Sequence, residues 1–263
     1  MTTTTPTPRP VVMLLPAHDE EATVGDVVRR AAAAVLGHPV EVVVLDDGSR
    51  DRTAARARAA GATLHSLGQN RGLGAAVRAG LAWAVEQDPA AVAFLDADGE
   101  YAPEELARLV APILDGRADY VVGSRFAGLP RHMRPHRWLG NRALTLAMQV
   151  LVRRFGVRGL SDGQSGYRAL SPAAAAHAEI VHDFNYAQVL TLDLVAKGYR
   201  YAEVPITYRF RRHGRSFVRL GPYLRRVVPA VWRELSAVTG DTSAAREVET
   251  PVAPLADASP SAR

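Results

Sequence analysis

The chain has 263 residues, 48% hydrophobic and 22% charged, with no cysteine and a formal net charge of +5. The lack of cysteine excludes a disulfide scaffold and a thiolate metal site, and the length holds one or two domains with a sizeable core. Of 32 basic residues only Lys197 is lysine, and arginine-borne charge suits phosphate-bearing partners because the guanidinium fork binds phosphate bidentately. Codon bias in an alanine-rich chain would give the same count.

Met1 to Pro10 is Thr/Pro-rich and reads as a disordered tail without a secretory signal. Strands are expected at Val11 to Leu15, Val40 to Leu45, Ala62 to Leu67, Val92 to Leu95 and Tyr120 to Gly123, each a short apolar run bounded by polar residues or glycine. Between them lie helical patterns at Ala22 to Val35, Arg52 to Ala60, Ala75 to Val85 and Pro103 to Leu114, the last with proline at its first position. That alternation predicts an α/β fold, a mostly parallel sheet with helices on both faces.

Farther along, Leu139 to Phe155 and Ala187 to Lys197 read as helices, Ser165 to Leu170 as a short strand, and Tyr199 to Phe210 as one or two strands broken at Pro205. The uncharged run Ala143 to Val152 is far short of the roughly 20 residues that span a bilayer, which predicts a cytoplasmic protein, soluble or peripheral on the membrane face. Arg200 to Leu235 carries nine arginines against Glu203 and Glu234. Within it, residues 218–238 pattern as a basic amphipathic helix kinked at Pro229, suited either to packing on the domain or to an anionic membrane surface. Residues 239–263 are too polar to bury a face and read as a second disordered tail.

Ligands of an open parallel sheet bind beyond the carboxyl ends of its strands. Those positions carry Pro16-Ala17-His18-Asp19-Glu20-Glu21, Asp46-Asp47-Gly48-Ser49-Arg50-Asp51, Asp96-Ala97-Asp98-Gly99-Glu100 and Ser124-Arg125. Acidic loops gathered at one edge repel one another unless a cation or a hydrogen-bonding ligand joins them. Asp96, Asp98 and Glu100, two residues apart in a turn, can converge on a hard cation such as Mg²⁺ or Mn²⁺; alternatively they cap the next helix. Asp46 and Asp47 can accept hydrogen bonds from a base or ribose, with Ser49 or Asp51 as the helix cap. Asn70 to Ala76 is a Gly-rich turn entering a helix, a potential phosphate cradle through Gly74, although Val77 breaks the dinucleotide fingerprint. The arginines lack interleaved aromatics and a nucleic-acid motif, so no nucleic-acid partner is expected.

Five ordered motifs carry a resemblance. They are Leu14-Leu15-Pro16-Ala17-His18-Asp19-Glu20-Glu21, Val44-Leu45-Asp46-Asp47-Gly48-Ser49-Arg50-Asp51-Arg52-Thr53, Phe94 to Glu104, Val122-Gly123-Ser124-Arg125-Phe126, and Asp162-Gly163-Gln164-Ser165-Gly166-Tyr167-Arg168. Together they resemble the catalytic domain of glycosyltransferase family 2, and within it the dolichyl- or polyprenyl-phosphate sugar synthases, over residues 11–217. The resemblance implies a GT-A (nucleotide-diphospho-sugar transferase) fold and transfer of a hexose from a GDP-mannose- or UDP-glucose-type donor to a polyprenyl phosphate. A soluble hydroxyl acceptor and a catalytically silent binding module are the alternatives.

By that resemblance Pro16, Ala17, Asp19 and Glu21 line the nucleotide pocket, and Asp46 contacts base or ribose. Asp96, Asp98 and Glu100 form the metal and diphosphate loop, with Glu100 where these synthases commonly have glutamine. Arg125, Arg142 and Ser165 are expected at the acceptor phosphate, with Arg137 as a substitute for either arginine. A phosphate acceptor is already anionic and needs no base, in keeping with Asn185, Tyr186, Ala187 and Gln188 where the family often has an acidic residue; Asp162 is an alternative base. Arg168 is read as either structural or functional. Near the end, His213-Gly214-Arg215-Ser216-Phe217 has phenylalanine where the family often has lysine, so Arg212 or Arg215 is expected to supply that charge to the donor diphosphate.

Overall fold

The computed structural model describes residues 7–127, 135–180, 183 and 186–209, with the side chains of 135–139 excepted. Arg212, Arg215 and the helix expected at 218–238 lie outside the described residues, as does the side chain of Arg137. In chain order the elements are β1 (Val11–Ala17), α1 (Val24–Arg30), β2 (Ala34–Val35), β3 (His38–Asp46), α2 (Thr53–Ala59), β4 (Thr63–Ser66), α3 (Leu73–Glu86) and β5 (Ala91–Phe94). There follow α4 (Leu106–Leu114), β6 (Tyr120–Ser124), α5 (Pro135–Val152), β7 (Arg168–Leu170), α6 (Pro172–His177), α7 (Ala187–Ala196) and β8 (Tyr201–Pro205). No helix among them is long and apolar enough to cross a membrane.

β1 pairs in parallel with β3 on one side and β5 on the other, β4 extends the sheet beyond β3, and β8 runs parallel to β6. β7 inserts antiparallel between β5 and β6. β1 is buried at every position because both sheet faces are covered, which is why its sequence is an unbroken apolar run. Val11, Met13 and Leu15 join one core layer, and Val12 and Leu14 the other, following the two-residue period of a strand.

The helix expected over Ala22 to Val35 is shorter than its alanines suggest. α1 stops at Arg30, and Ala34–Val35 instead pairs antiparallel with His38–Pro39 through a two-residue turn at Leu36 and Gly37, both with positive φ. Strand pairing there outweighs helix propensity, which amounts to tenths of a kcal/mol per residue. Ser165 to Leu170 is strand only from Arg168, since the residues before it form a turn stitched by side chains.

Candidate functional site

The parallel register brings the predicted loops to one sheet edge. Ala17 is paired with Asp46, and Asp46 with Ser66, so β1, β3 and β4 end level with one another. The loop after β5 joins them through the N–H of Ala97, which donates to the carbonyl of Pro16 at 3.4 Å. Pro16, Ala17, Asp46, Asp96, Ala97 and Asp98 therefore share one rim.

The first two acidic loops are zipped to each other. Asp19, held at φ 53°, accepts from the N–H of Arg50 at 2.7 Å, while its own N–H donates to Ser49 Oγ at 3.1 Å. Glu21 accepts from the N–H and Nε of Arg52, at 3.1 and 3.2 Å. Asp51 accepts from the N–H of Thr53 at 2.8 Å, the first residue of α2, and from that of Glu21 at 3.0 Å. Asp46, 5% exposed, accepts from the N–H of Ser49 at 3.0 Å and from Ser66 Oγ at 3.3 Å. His18 donates from Nδ1 to the carbonyl of Asp47 at 2.8 Å and accepts from Asn70 Nδ2 at 3.0 Å, a pattern that only one ring tautomer satisfies.

The Gly-rich turn spends several of its donors inside the protein. Asp47 accepts from the N–H groups of Arg71 and Gly72 at 2.6 and 2.8 Å, and the N–H of Gly74 donates to the carbonyl of Asp183 at 2.6 Å. Three of the donors at this turn, the N–H groups of Arg71, Gly72 and Gly74, are thus taken by the protein, and Gly74 is buried at the start of α3. Gly72 is required there, because its φ is +93° and a Cβ would lie 2.4 Å from the Asp183 oxygen.

In the loop after β5, Asp98 accepts from the N–H of Glu100 at 3.0 Å, and Gly99 turns the chain at φ 76°. Glu100 differs from the expected metal ligand: it is 7% exposed, and its Oε2 accepts from the hydroxyl of Tyr208 at 2.8 Å. Among the described residues no three His, Asp or Glu side chains gather closely enough to hold a metal by themselves. The donor set fits a hard cation held by one or two carboxylates and completed by substrate phosphate oxygens, the usual manner of Mg²⁺.

Across the rim, Arg125 follows β6 and forks onto Asp162, Nε to Oδ2 at 2.7 Å and Nη2 to Oδ1 at 2.8 Å, with 8% and 0% of the two side chains exposed. Burial opposes the carboxylate, but the charge and hydrogen bonds of Arg125 and the N–H of Gln164 hold Asp162 below the ordinary carboxylate range. A carboxylate with no exposed surface and its oxygens turned to N–H donors holds Arg125 in place; it is not positioned to take a substrate proton. Arg125 lies 5.9 Å from the centroid of Phe126 and Arg142 lies 5.7 Å from it, so both guanidiniums meet at one ring. Arg142 is exposed.

Ser165 is fully buried and its Oγ accepts from the N–H of Tyr167 at 3.3 Å, so it braces a turn. Arg168 is structural as well. It is fully buried, donating to the carbonyls of Ser165 and Ala187 at 2.8 Å each, to Thr191 Oγ1 at 3.0 Å and to the hydroxyl of Tyr120.

Sequence reasoning missed Tyr101 and Tyr208. Tyr101 accepts from the N–H of Gly166 at 2.8 Å, and Arg125 sits 5.3 Å from the centroid of Tyr208, which itself bonds Glu100. The two tyrosines pack edge-on, at 5.8 Å between centroids, and tie the acidic loop to the arginine side of the rim. Glu203 was missed too: it accepts from the N–H groups of Ser161, at 2.8 Å, and Asp162, at 3.2 Å, and fixes the segment that carries the partner of Arg125.

Residues 13–169 match the family described as Glycosyl transferase family 2. The chain belongs to glycosyltransferase family 2. Among similar family members is the polyprenol monophosphomannose synthase of Mycolicibacterium smegmatis, 31% identical over 228 residues, which cover 81% of this chain and 82% of that protein. The UDP-N-acetylglucosamine–dolichyl-phosphate N-acetylglucosaminyltransferase of Methanococcus voltae is 28% identical over 62% of this chain and 70% of its own. A solved glucosyl-3-phosphoglycerate synthase from Mycobacterium tuberculosis, in complex with Mn²⁺, UDP and glucosyl-3-phosphoglycerate, superposes with a TM-score of 0.69 at 26% identity. That match covers 87% of this chain and 80% of the other. The fold is thus GT-A, as the motifs implied, and the chain is a glycosyltransferase.

Proposed function

We propose that this glycosyltransferase moves a hexose from a nucleotide sugar of the GDP-mannose or UDP-glucose type to a polyprenyl phosphate, by direct displacement with inversion. The observation that carries the acceptor is the meeting of Arg125 and Arg142 at the Phe126 ring, across the rim from the acidic loops. Two guanidiniums there suit a phosphate nucleophile, which is anionic at neutral pH and needs holding, not deprotonation. At the start of α7 the described residues are Tyr186, Ala187 and Gln188, none of them a carboxylate base.

On this reading Asp46 and the braced loop Pro16 to Glu21 receive the nucleoside. Asp96 and Asp98 would hold Mg²⁺ or Mn²⁺, which supplies neutralisation of the charge that develops on the departing diphosphate. Arg125, kept charged by its buried pair with Asp162, fixes the acceptor phosphate in line with the anomeric carbon, and exposed Arg142 receives it from solvent. Arg212 or Arg215 adds charge at the diphosphate. The acceptors printed in the names of the Mycolicibacterium and Methanococcus relatives support a lipid phosphate.

A second reading keeps the donor site and takes a small soluble acceptor. The likeness to glucosyl-3-phosphoglycerate synthase favours it. Offering purified protein GDP- and UDP-sugars with Mg²⁺ or Mn²⁺, with and without polyprenyl phosphate, separates the two. Glycolipid formed only with polyprenyl phosphate is the expected result. Transfer to a soluble hydroxyl acceptor without lipid would overturn the acceptor.

A further inference from the structure

α5 is apolar on its buried face, where Met148 and Val152 join the core at 3% and 0% exposure, and apolar on its outer face as well. Its inner face carries Thr145 and Met148, 1% and 3% exposed, and its polar groups hold the chain beneath: the N–H of Gly163 donates to Thr145 Oγ1 at 3.3 Å, and Gln149 Nε2 to the carbonyl of Leu160 at 2.6 Å. The outer face is apolar. Leu146 and Val150, one helical turn apart, are 62% and 58% exposed, and Ala143 and Ala147 beside them are exposed as well. A helix at the surface of a soluble domain normally shows charge outward.

Both ends of this stripe are basic. Arg142 stands at its start, and exposed Arg153, Arg154 and Arg158 stand past its end, none of the last three in an ion pair among the described residues. From Arg142 to Arg153 the helix rises about 16 Å. We propose that this face of α5 is the surface by which the enzyme lies on an anionic lipid bilayer, with Leu146 and Val150 entering the headgroup region and the flanking arginines meeting lipid phosphates. The proposal rests on the polyprenyl-phosphate reading, which it deepens.

Charge selects the occupant. A second copy would bring its own arginines against Arg153, Arg154 and Arg158, and the chain's own residues 210–235 carry seven arginines against one glutamate, so both would meet repulsion where an anionic surface meets attraction. The stripe also begins where acceptor binding is proposed. Arg142 packs on the Phe126 ring that Arg125 also touches, so a lipid phosphate in the leaflet under α5 would face the rim of the site.

The test uses the full chain with vesicles of phosphatidylcholine alone or with phosphatidylglycerol, none containing polyprenyl phosphate, followed by sedimentation. Wild-type protein is expected to bind only the anionic vesicles. Leu146→Asp with Val150→Asp should abolish binding. Arg153→Gln with Arg154→Gln should weaken it about 25-fold, roughly fivefold for each arginine. Nucleotide binding and the mass in solution should remain as in wild type. No vesicle binding by wild type, equal binding to both vesicles, or wild-type binding by the aspartate variant would each overturn the proposal. So would a change of oligomeric state in that variant without loss of vesicle binding, since a second copy would then cover the face. Vesicle binding with transfer only to soluble acceptors would refute the acceptor reading and leave the docking surface standing.

Discussion

Arg125 and Asp162 are locked by a two-pronged ion pair at 2.7 and 2.8 Å, and the N–H of Arg125 donates to the same carboxylate at 3.1 Å. Breaking one half of a buried pair strands the other charge. Asp162→Ala should therefore lower stability by about 3–5 kcal/mol, read from urea midpoints at pH 7. The paired replacement Arg125→Met with Asp162→Leu should recover most of that stability and still abolish transfer. A double variant that is stable and active would remove Arg125 from the reaction.

The neighbouring carboxylates give opposite pH signatures. Asp162 is held below its ordinary 3.8, so the stability it contributes is present above that value and lost as pH falls through its folded pKa. Glu203 is pushed up by burial, which outweighs its bonds from Ser161, Tyr201 and Asp162. Its contribution is full below the ordinary 4.5 and lost as pH rises through the raised folded value. Glu203→Gln should flatten the decline of the urea midpoint above pH 4.5 relative to wild type, and leave acid unfolding below pH 3.8 in place. An unchanged decline would dissociate it from Glu203.

Asp98 and Glu100 should respond differently to substitution. Asp98→Ala removes a proposed cation ligand and should reduce kcat at least about 100-fold with the fold intact. Glu100→Gln keeps an oxygen for the Tyr208 hydroxyl, so its kcat should stay within about tenfold of wild type. Comparable losses in the two variants, measured over a Mn²⁺ titration, would return Glu100 to the metal set.

The fold was legible because buried parallel strands announce themselves as apolar runs, and the five motifs placed the acidic rim. What escaped the sequence depends on long-range pairing. Tyr208 reaches Glu100 only because β8 joins the sheet beside β6, and the two residues are 108 positions apart. The protein partners of Ser165 and Gly74 escaped the sequence for one reason: a turn rich in donors looks the same whether its partners are ligand oxygens or the protein's own backbone and side chains.

Arg142 is the exposed member of the arginine pair, so its loss should spare the donor. Arg142→Ala should raise KM for polyprenyl phosphate by about 10- to 100-fold, the range of a lost charged hydrogen bond, with the nucleotide-sugar KM within twofold to threefold of wild type. Equal changes in both constants would place Arg142 outside the acceptor subsite.

Gly166 gives the sharpest separation of site from scaffold. A Cβ there would stand 2.7 Å from Asp96 Oδ2 and 3.3 Å from the Tyr101 ring. The ring is held from the other side by Tyr208, so the carboxylate is the group that must yield. Gly166→Ala should therefore displace Asp96 and raise the Mn²⁺ concentration for half-maximal activity about tenfold or more. The stability loss should remain within the ordinary range of about 1–3 kcal/mol for a small overpacking. Unchanged metal dependence at reduced stability would show that Asp96 lies outside the cation site and that the tight contact at Gly166 serves the fold alone.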